Sequence, residues 1–466
     1  MTILNESGIP DALSPLYGVG SVCERLPYVL GVVAGTRSEA HLAQTLSGFP
    51  ASPERAAGAG RLLFMILDPE EEPEGGDLAT RVVGEAVKFR DAGAVLLFRS
   101  RSAELLGVDF DFETRLLERR LGVPVLTVDL FERERDPGST GGPMGLSTDV
   151  EDRALAALVD LCPHRNLEER PGKEGTEKAR GRLGGLLGRR RSLSLRRRGG
   201  RSAEPPGPDR RPVALLSLQA SLGRAGRSLR ELAADLERAG VQVAGGIPGP
   251  AAEEFPALGP GTVAAPLDPY LATAAGAARR RGAEVVETLM PIGVDGTARF
   301  IQDVAEAAGS DVRAGEMARA RSVWESLGSL RSRIRGKRIF FTGDTGLEVP
   351  LARFLSDAGA LVLEVGCPRL DRRFLAPELQ VLGSGGVDVI ESPEWREQLG
   401  RIDEARPDVV VAGPGLHVPL VARGHLCRPS LDFLGAGIHG YKGARRILEL
   451  FARSLQRAEG LDAVEL

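Results

Sequence analysis

Residues 338–366 read RIFFTGDTGLEVPLARFLSDAGALVLEVG, and they decide the fold class. The run RIFF is apolar and β-prone, and it leads into a Gly-rich turn from Thr342 to Glu348. Leu351, Phe354, Leu355 and Ala358 then recur at helical spacing, Gly359 stops the helix, and LVLEV resumes an extended apolar run. Strand, helix and strand in that order require a crossover connection, which joins parallel neighbours in one sheet. The stretch therefore predicts a βαβ unit.

Working outward, the same alternation recurs. RLLFMILD, AVLLFRS and VPVLTVDL form an early block with YVLGVV, PVALLSLQ, VQVAGGI and AEVVETL a middle one, and ALVLEVG, VDVIES and PDVVVAGPG complete the last. Parallel strands alternating with helices carry helices on both faces, so the expected class is α/β, repeated three times. A length of 466 residues agrees with about three domains. The expected divisions are 1–165, 212–333 and 334–466, the last including a C-terminal helix. Between the first two lies 166–211, rich in Arg, Gly and Pro and poor in aromatics; such a tract buries too little surface to offset ordering and reads as a flexible insertion. Its stretch GRRRSLSLRRRGGR can serve as a solvated linker or as a site for acidic lipid, RNA or an acidic partner.

Lys and Arg number 60 against 64 acids, a net charge of -4, so the overall balance does not point to nucleic acid. The four cysteines, Cys23, Cys162, Cys367 and Cys427, are scattered without a CxxC pair, which suits a reducing cytoplasm and argues against structural zinc. Neither a signal peptide nor an apolar run long enough to span a membrane is legible, so the expectation is a cytoplasmic protein without a transmembrane segment.

Several motifs invite chemistry. In YVLGVVAGTRSEAHLAQTL, a strand runs through Gly35-Thr36-Arg37 into a helix bearing Ser38 and Glu39, a turn type that often holds ligands. Arg37 can receive an anion there; Glu39 equally fits a first-turn carboxylate that favours the helix dipole. TGDTGLE can cradle phosphate, but it lacks the Lys of a Walker loop and the third Gly of a dinucleotide fingerprint. In PIGVDGTARFI, Asp295 or Thr297 is expected to cap the following helix. His425, Cys427 and His417 lie close in sequence without matching a known metal-ligand spacing, so no metal site is expected. GIHGYKGARRILELF presents His439 and Tyr441 ahead of an amphipathic helix, facing the inter-domain region or buried as hydrogen-bonded core groups.

Taken in order, GTRSEAHLAQ, EDRALAALV, LGPGTVAAPLDPYLATAAGAARRRGAEVVETLMPIGVDGT, LEVPLARFL, RPDVVVAGPGLHVPLVARGH and GIHGYKGARRILELF resemble the nitrogenase component 1 family, and within it the N-type subunits of light-independent protochlorophyllide reductases. The resemblance spans nearly the whole chain outside the Arg-rich insertion. It implies three Rossmann-like domains around a central cleft and assembly with a homologous B-like subunit, as a heterodimer or heterotetramer. It further implies transient docking of an iron-protein ATPase, a 4Fe-4S cluster at the junction with the B-like subunit, which together with ATP falls to partner subunits where this chain supplies no ligand, and a tetrapyrrole substrate.

Three cysteines of N-type subunits hold a cluster in that family. The motif Gly-Thr-Arg-Thr-Cys-Ala-His-Leu aligns with Gly35 to Leu42 and places Glu39 at a cysteine position. Gly-Ser-Cys-Pro-Ser-Glu aligns with Arg99 to Glu104 and places Arg101 at another, and the earliest cysteine aligns across a gap with Tyr17. Iron–sulfur clusters depend on thiolates, and a guanidinium cannot deprotonate to bind iron. The expectation is an N-type subunit of a nitrogenase-like tetrapyrrole reductase that has lost its own cluster ligands, Glu39 and Arg101 being able to pair across the old site. Catalytic residues are not identifiable. Phe433, His439 and Tyr441 are the candidate walls of a substrate cavity. A non-redox porphyrin-binding or scaffolding paralogue is the alternative within the family, and a sugar-nucleotide glycosyltransferase-like enzyme is the alternative outside it.

Overall fold

The computed structural model describes residues 2–6, 8, 14–47, 61–67, 78–89, 92–131, 146–165, 210–218, 227–251, 254–310 and 312–462. Of the expected flexible insertion at 166–211, residues 166–209 lie outside these residues, while Arg211 is described and pairs with Glu284. Three parallel sheets organise the rest, as an α/β sequence with crossovers requires. In the first, β2 (Val29–Gly35), β3 (Leu62–Ile66), β4 (Ala94–Arg99) and β5 (Val125–Asp129) run in the order β3-β2-β4-β5. In the second, β6 (Val213–Leu216), β7 (Val243–Ile247), β8 (Val263–Pro266) and β9 (Glu284–Val285) run in the order β7-β6-β8-β9. The third contains β10 (Arg338–Phe341), β11 (Leu361–Cys367), β12 (Asp388–Glu391), β13 (Val409–Ala412) and β14 (Cys427–Pro429), with β1 (Ile3–Asn5) added at its edge. Its order is β1-β12-β11-β10-β13-β14.

The βαβ unit is as read: β10, the helix Glu348–Asp357 and β11, with Leu351, Phe354, Leu355 and Ala358 all in the apolar core. Every residue of β2 and β4 is buried, because helices cover both faces of their sheet. The first strand departs from the sequence reading. Ile3 pairs with Val389, and Asn5 with Glu391, so these residues complete the third sheet instead of the first domain to which position assigned them.

Packing makes the middle domain central. One continuous apolar core joins Leu232, Phe300 and Ile301 to Phe341, Phe354 and Phe451 of the third domain. Another joins Val22, Phe98 and Leu155 of the first domain to Leu216, Leu271 and Ala274. The second and third domains are further tied by a buried ion pair. Arg353 Nε donates to Glu378 Oε2 at 2.6 Å, its Nη2 donates to the Ile292 carbonyl at 2.8 Å, and Glu378 Oε1 accepts the Met290 N–H at 2.7 Å. This pins the segment that enters the helix Val294–Ala307. The expected side-chain cap is not used there. Gly293 occupies the N-cap with φ +79, where a Cβ would collide with the Phe354 ring. Thr297 instead donates its hydroxyl to the Gly293 carbonyl, and Asp295 accepts from the Trp324 indole.

Because Arg353 is 1% exposed, Arg353→Ala leaves Glu378 buried without a counter-charge. The substitution is expected to lower the unfolding free energy by about 3–5 kcal/mol, measured by urea denaturation.

Candidate functional site

In an open parallel sheet, ligands enter the crevice beyond the carboxyl ends of the strands where the strand order reverses. These points lie between β2 and β4, between β6 and β8, and between β10 and β13. At each, a carboxylate of this chain already occupies the crevice.

Beyond β2, the Thr36 N–H and Thr36 Oγ1 both donate to Glu39 Oε2, at 2.7 and 3.1 Å, while the Glu39 N–H points to Thr36 Oγ1 at 3.4 Å. This is the reciprocal capping box of a T-x-x-E sequence at the start of the helix Arg37–Ser47. Glu39 Oε1 accepts from Ser102 Oγ at 3.0 Å, bridging to the helix Arg101–Leu105 beyond β4. Gly35 is required by this closure, since a Cβ there would lie 2.5 Å from Glu39 Oε2. Beside the crevice, Arg99 Nε pairs with Asp129 Oδ1 at 3.2 Å, and its guanidinium lies 4.9 Å from the Phe110 ring centroid.

In the second crevice Asp268, fully buried, accepts from Ser217 Oγ at 2.6 Å through Oδ2, and its Oδ1 lies 2.8 Å from His439 Nε2. In the third, Glu348 Oε1 accepts the N–H groups of Asp344 and Thr345 at 3.0 and 2.8 Å and the Thr345 hydroxyl at 2.9 Å. The TGDTGLE loop thus cradles a carboxyl group, and that group is its own glutamate. Burial pushes the Glu348 carboxyl above the usual range, against the pull of the Thr345 and Asp344 hydrogen bonds.

Free space remains where the three domains meet, as a cavity of about 180 Å³. Thr148, Asp152 and Arg153 line it from the first domain, Tyr270 and Thr273 from the second, and Gly346 and Arg369 from the third. Asp152 accepts the N–H groups of Thr273 and Ala274, both at 2.8 Å, at the start of the helix Ala272–Arg280. Burial raises its carboxyl to about 7, although both hydrogen bonds oppose the shift. Next to it, Glu151 pairs with Arg25 at 2.9 Å and accepts from Tyr270 and Ser21.

The residues singled out from the sequence fall in different places. Glu39 and the start of the helix Arg101–Leu105 are brought together, but Arg101 itself is exposed, and among the described residues no ion pair joins it to Glu39; the adjacent Ser102 makes the contact. Tyr17 is half-buried on the helix Pro15–Arg25, within electrostatic reach of Arg25. Phe433 is buried and stacks on Phe451 with centroids 5.6 Å apart. His439 is an inter-domain group bonded to Asp268. Tyr441 OH donates to Glu316 at 2.5 Å under the Arg319 guanidinium, and burial together with Glu316 pushes its phenol upward. These three are interior groups and do not line the central cavity. His425 Nε2 lies 2.8 Å from Asp403 Oδ1, and the Cys427 thiol points to the His425 carbonyl. Among the described residues, no three His, Cys, Asp or Glu side chains converge as a metal site.

Asp152, Asp268 and Ser102 escaped the sequence reading. Thr36-x-x-Glu39 and Thr345-x-x-Glu348 carried a legible capping signal. Asp268 had none, because its histidine lies 171 positions away.

The sequence profile described as nitrogenase component 1 type oxidoreductase matches residues 139–456. The chain is 33% identical over 462 residues to the light-independent protochlorophyllide reductase subunit N of Roseiflexus sp. (strain RS-1), covering 99% of this chain and 95% of that one. It is 31% identical over 463 residues to the protein of the same name from Heliobacterium modesticaldum (strain ATCC 51547 / Ice1), covering 98% and 97%. Among solved structures, a chain of nitrogenase Cp1 at pH 6.5 superposes with a TM-score of 0.68 at 14% identity, over 97% of this chain and 93% of that one, a likeness of fold. Among the described residues, no helix is long and apolar enough to cross a membrane.

Two outcomes follow from these geometries. Glu39→Ala removes a capping box and the bridge to Ser102 and is expected to lower thermal stability by about 1 kcal/mol, read by calorimetry. Asp152 is protonated more readily folded than unfolded, so its contribution to stability is complete below the unfolded carboxyl pKa of about 4 and is lost as pH rises through about 7. The melting temperature should therefore fall between about pH 4 and 7 and level off above, and Asp152→Asn should flatten that slope.

Proposed function

The chain belongs to the nitrogenase component 1 type oxidoreductases, and from that premise we propose that it is an N-type subunit of an ATP-dependent, protochlorophyllide-like tetrapyrrole reductase, one that no longer ligates a cluster itself. The observation that carries the reading is likeness to N subunits along almost the full length of both chains. In this reading the chain pairs with a homologous B-like subunit, an iron-protein ATPase docks transiently, and any 4Fe-4S cluster and ATP reside on those partners. This subunit contributes partner surface and part of the enclosure of the tetrapyrrole.

Loss of the cluster is supported by the chemistry of the aligned positions. Both oxygens of Glu39 are engaged by Thr36 and Ser102. Arg101 cannot deprotonate to become a ligand. Cys23, near in sequence to Tyr17, is buried with its thiol pushed up to about 12, chiefly by desolvation and further by Glu24; such a thiol resists becoming the thiolate that iron requires. These residues do not fit a thiolate-held cluster, and no electron-transfer step is assigned to them. The sugar-nucleotide reading is disfavoured by the carboxylates that fill all three crevices.

Co-expression with the B-like subunit, followed by iron and sulfide analysis, tests the reading. Any iron is expected to disappear when the partner's cysteines are replaced and to persist in Glu39→Ala. Iron that survives loss of every partner cysteine would sink the cluster-loss reading. Absorbance titration is expected to show porphyrin binding, and reductive turnover with an ATP-driven donor would separate the reductase from a non-redox porphyrin carrier.

A further inference from the structure

We propose that the central cavity is a carboxylate seat, in which the Nε–Nη2 edge of Arg153 receives an acid side arm of a ligand. At about 180 Å³ the cavity falls below the roughly 300–1,000 Å³ of sites that enclose drug-sized molecules, so it takes an arm and not a macrocycle. That the arm belongs to a tetrapyrrole rests on the reading above; the seat itself rests on the donors that the cavity wall leaves over.

Arg153 is half-buried on the helix Ser147–Asp160 and lines the cavity. Its Nη1 donates to the Asp129 and Phe131 carbonyls, both at 3.0 Å, which fixes the guanidinium, while Nε and Nη2 have no hydrogen-bond partner among the described residues. Those two nitrogens form one edge of the guanidinium fork, and that edge matches both oxygens of a carboxylate. Arg401 shows the same arrangement filled: its Nε and Nη2 donate to Glu364 Oε2 and Oε1 at 2.6 and 3.0 Å, and its Nη1 donates to Glu6 Oε1 at 2.7 Å. Thr148, 7% exposed on the same cavity wall, adds a hydroxyl without a hydrogen-bond partner among the described residues.

The carboxylates of the wall are already engaged. Asp149 accepts from Arg369 Nη1 at 3.2 Å and from the Leu146 N–H at 2.9 Å, and Asp371 accepts the N–H groups of Arg373 and Phe374 at 3.1 and 2.8 Å. Asp129 pairs with Arg99, and among the described residues no ion pair joins it to Arg153. Burial raises the Asp152 carboxyl to about 7, which lessens its repulsion of an incoming anion. The charge left to be answered is therefore the Arg153 guanidinium. One open edge answers one negative charge, which favours a carboxylate over a doubly charged phosphate.

Titration of the full chain tests the seat without any porphyrin. Sodium propionate, compared with sodium chloride at matched ionic strength, is expected to raise the melting temperature saturably, and its Kd is expected to weaken at least about tenfold in Arg153→Gln. Arg153→Lys keeps the charge but not the fork and is expected to lose the preference for propionate over chloride; it decides the matter if Arg153→Gln does not fold. Propionate acting no better than chloride, or equally on the parent chain and the variants, would overturn the seat. A second arm identifies the source of the acid. In absorbance titrations protoporphyrin IX is expected to bind at least about tenfold tighter than its dimethyl ester, with the preference abolished in Arg153→Gln. Equal affinity for acid and ester would overturn the seat as a tetrapyrrole contact. Stabilisation by propionate with binding of neither porphyrin would sustain the seat and sink the tetrapyrrole reading.

Discussion

Parallel sheets concentrate unpaired N–H groups and positive helix ends at one rim, and that rim must be neutralised. A negative charge placed there gains about 0.3–1 kcal/mol on an exposed helix and up to about 2 when partly buried, while a buried N–H left without an acceptor loses about 1–3 kcal/mol. This chain meets the demand from its own sequence, with Glu39 and Glu348 accepting backbone N–H groups and Asp268 accepting from the Ser217 hydroxyl beside His439. Glu39, Asp268 and Glu348 each sit where a nucleotide phosphate sits in many proteins of related architecture. A free phosphate would have to displace a tethered carboxylate that is already hydrogen-bonded. The strand-to-helix loops consequently serve as internal braces, and the room for chemistry shifts to the centre of the chain and to its partner surface.

The same economy of polar pairing organises the interior. The second domain shares apolar cores with both neighbours, and buried polar and charged groups mark the seams: Asp152 holds the first turn of the helix Ala272–Arg280, Glu151 holds Arg25 and Tyr270, and Arg353 with Glu378 holds the Met290–Ile292 segment. The bonds that cross the seams run from Tyr270 to Glu151, from Thr273 and Ala274 to Asp152, and from Arg353 to the Ile292 carbonyl, so another domain arrangement leaves these buried polar groups without partners. The motif EDRALAALV, with Glu151 and Asp152 at its head, therefore has a structural account independent of any ligand.

Much of this was legible. Periodicity alone identified the α/β class and most strands, because runs such as VLGVV and VVVA are strongly β-prone and helices separate them. Three strands were not legible: β8 is VAAP, β14 is CRP, and β1 is three residues long, so all are too short or too rich in Ala and Pro to stand out. At the first crevice, Glu39 was recognisable as a first-turn carboxylate. That its partner would be Ser102 instead of Arg101 depended on how the short helix turns after β4, which local pattern does not encode. The sequence left His439 and Tyr441 open between cavity walls facing the inter-domain region and buried, hydrogen-bonded core groups. Their burial became visible only once Asp268 and Glu316, remote in sequence, were placed beside them.

The position of β1 also orders the birth of the molecule. Glu6 is separated from Arg401 by 395 positions. During synthesis the first two domains can collapse against one another long before the edge that receives this strand has left the ribosome, since domains fold as units from the amino end. The opening residues must wait unpaired until almost the whole chain is made. Their docking is the closing event of a ring, and a nascent chain interrupted before β12 would display two finished domains and a dangling end.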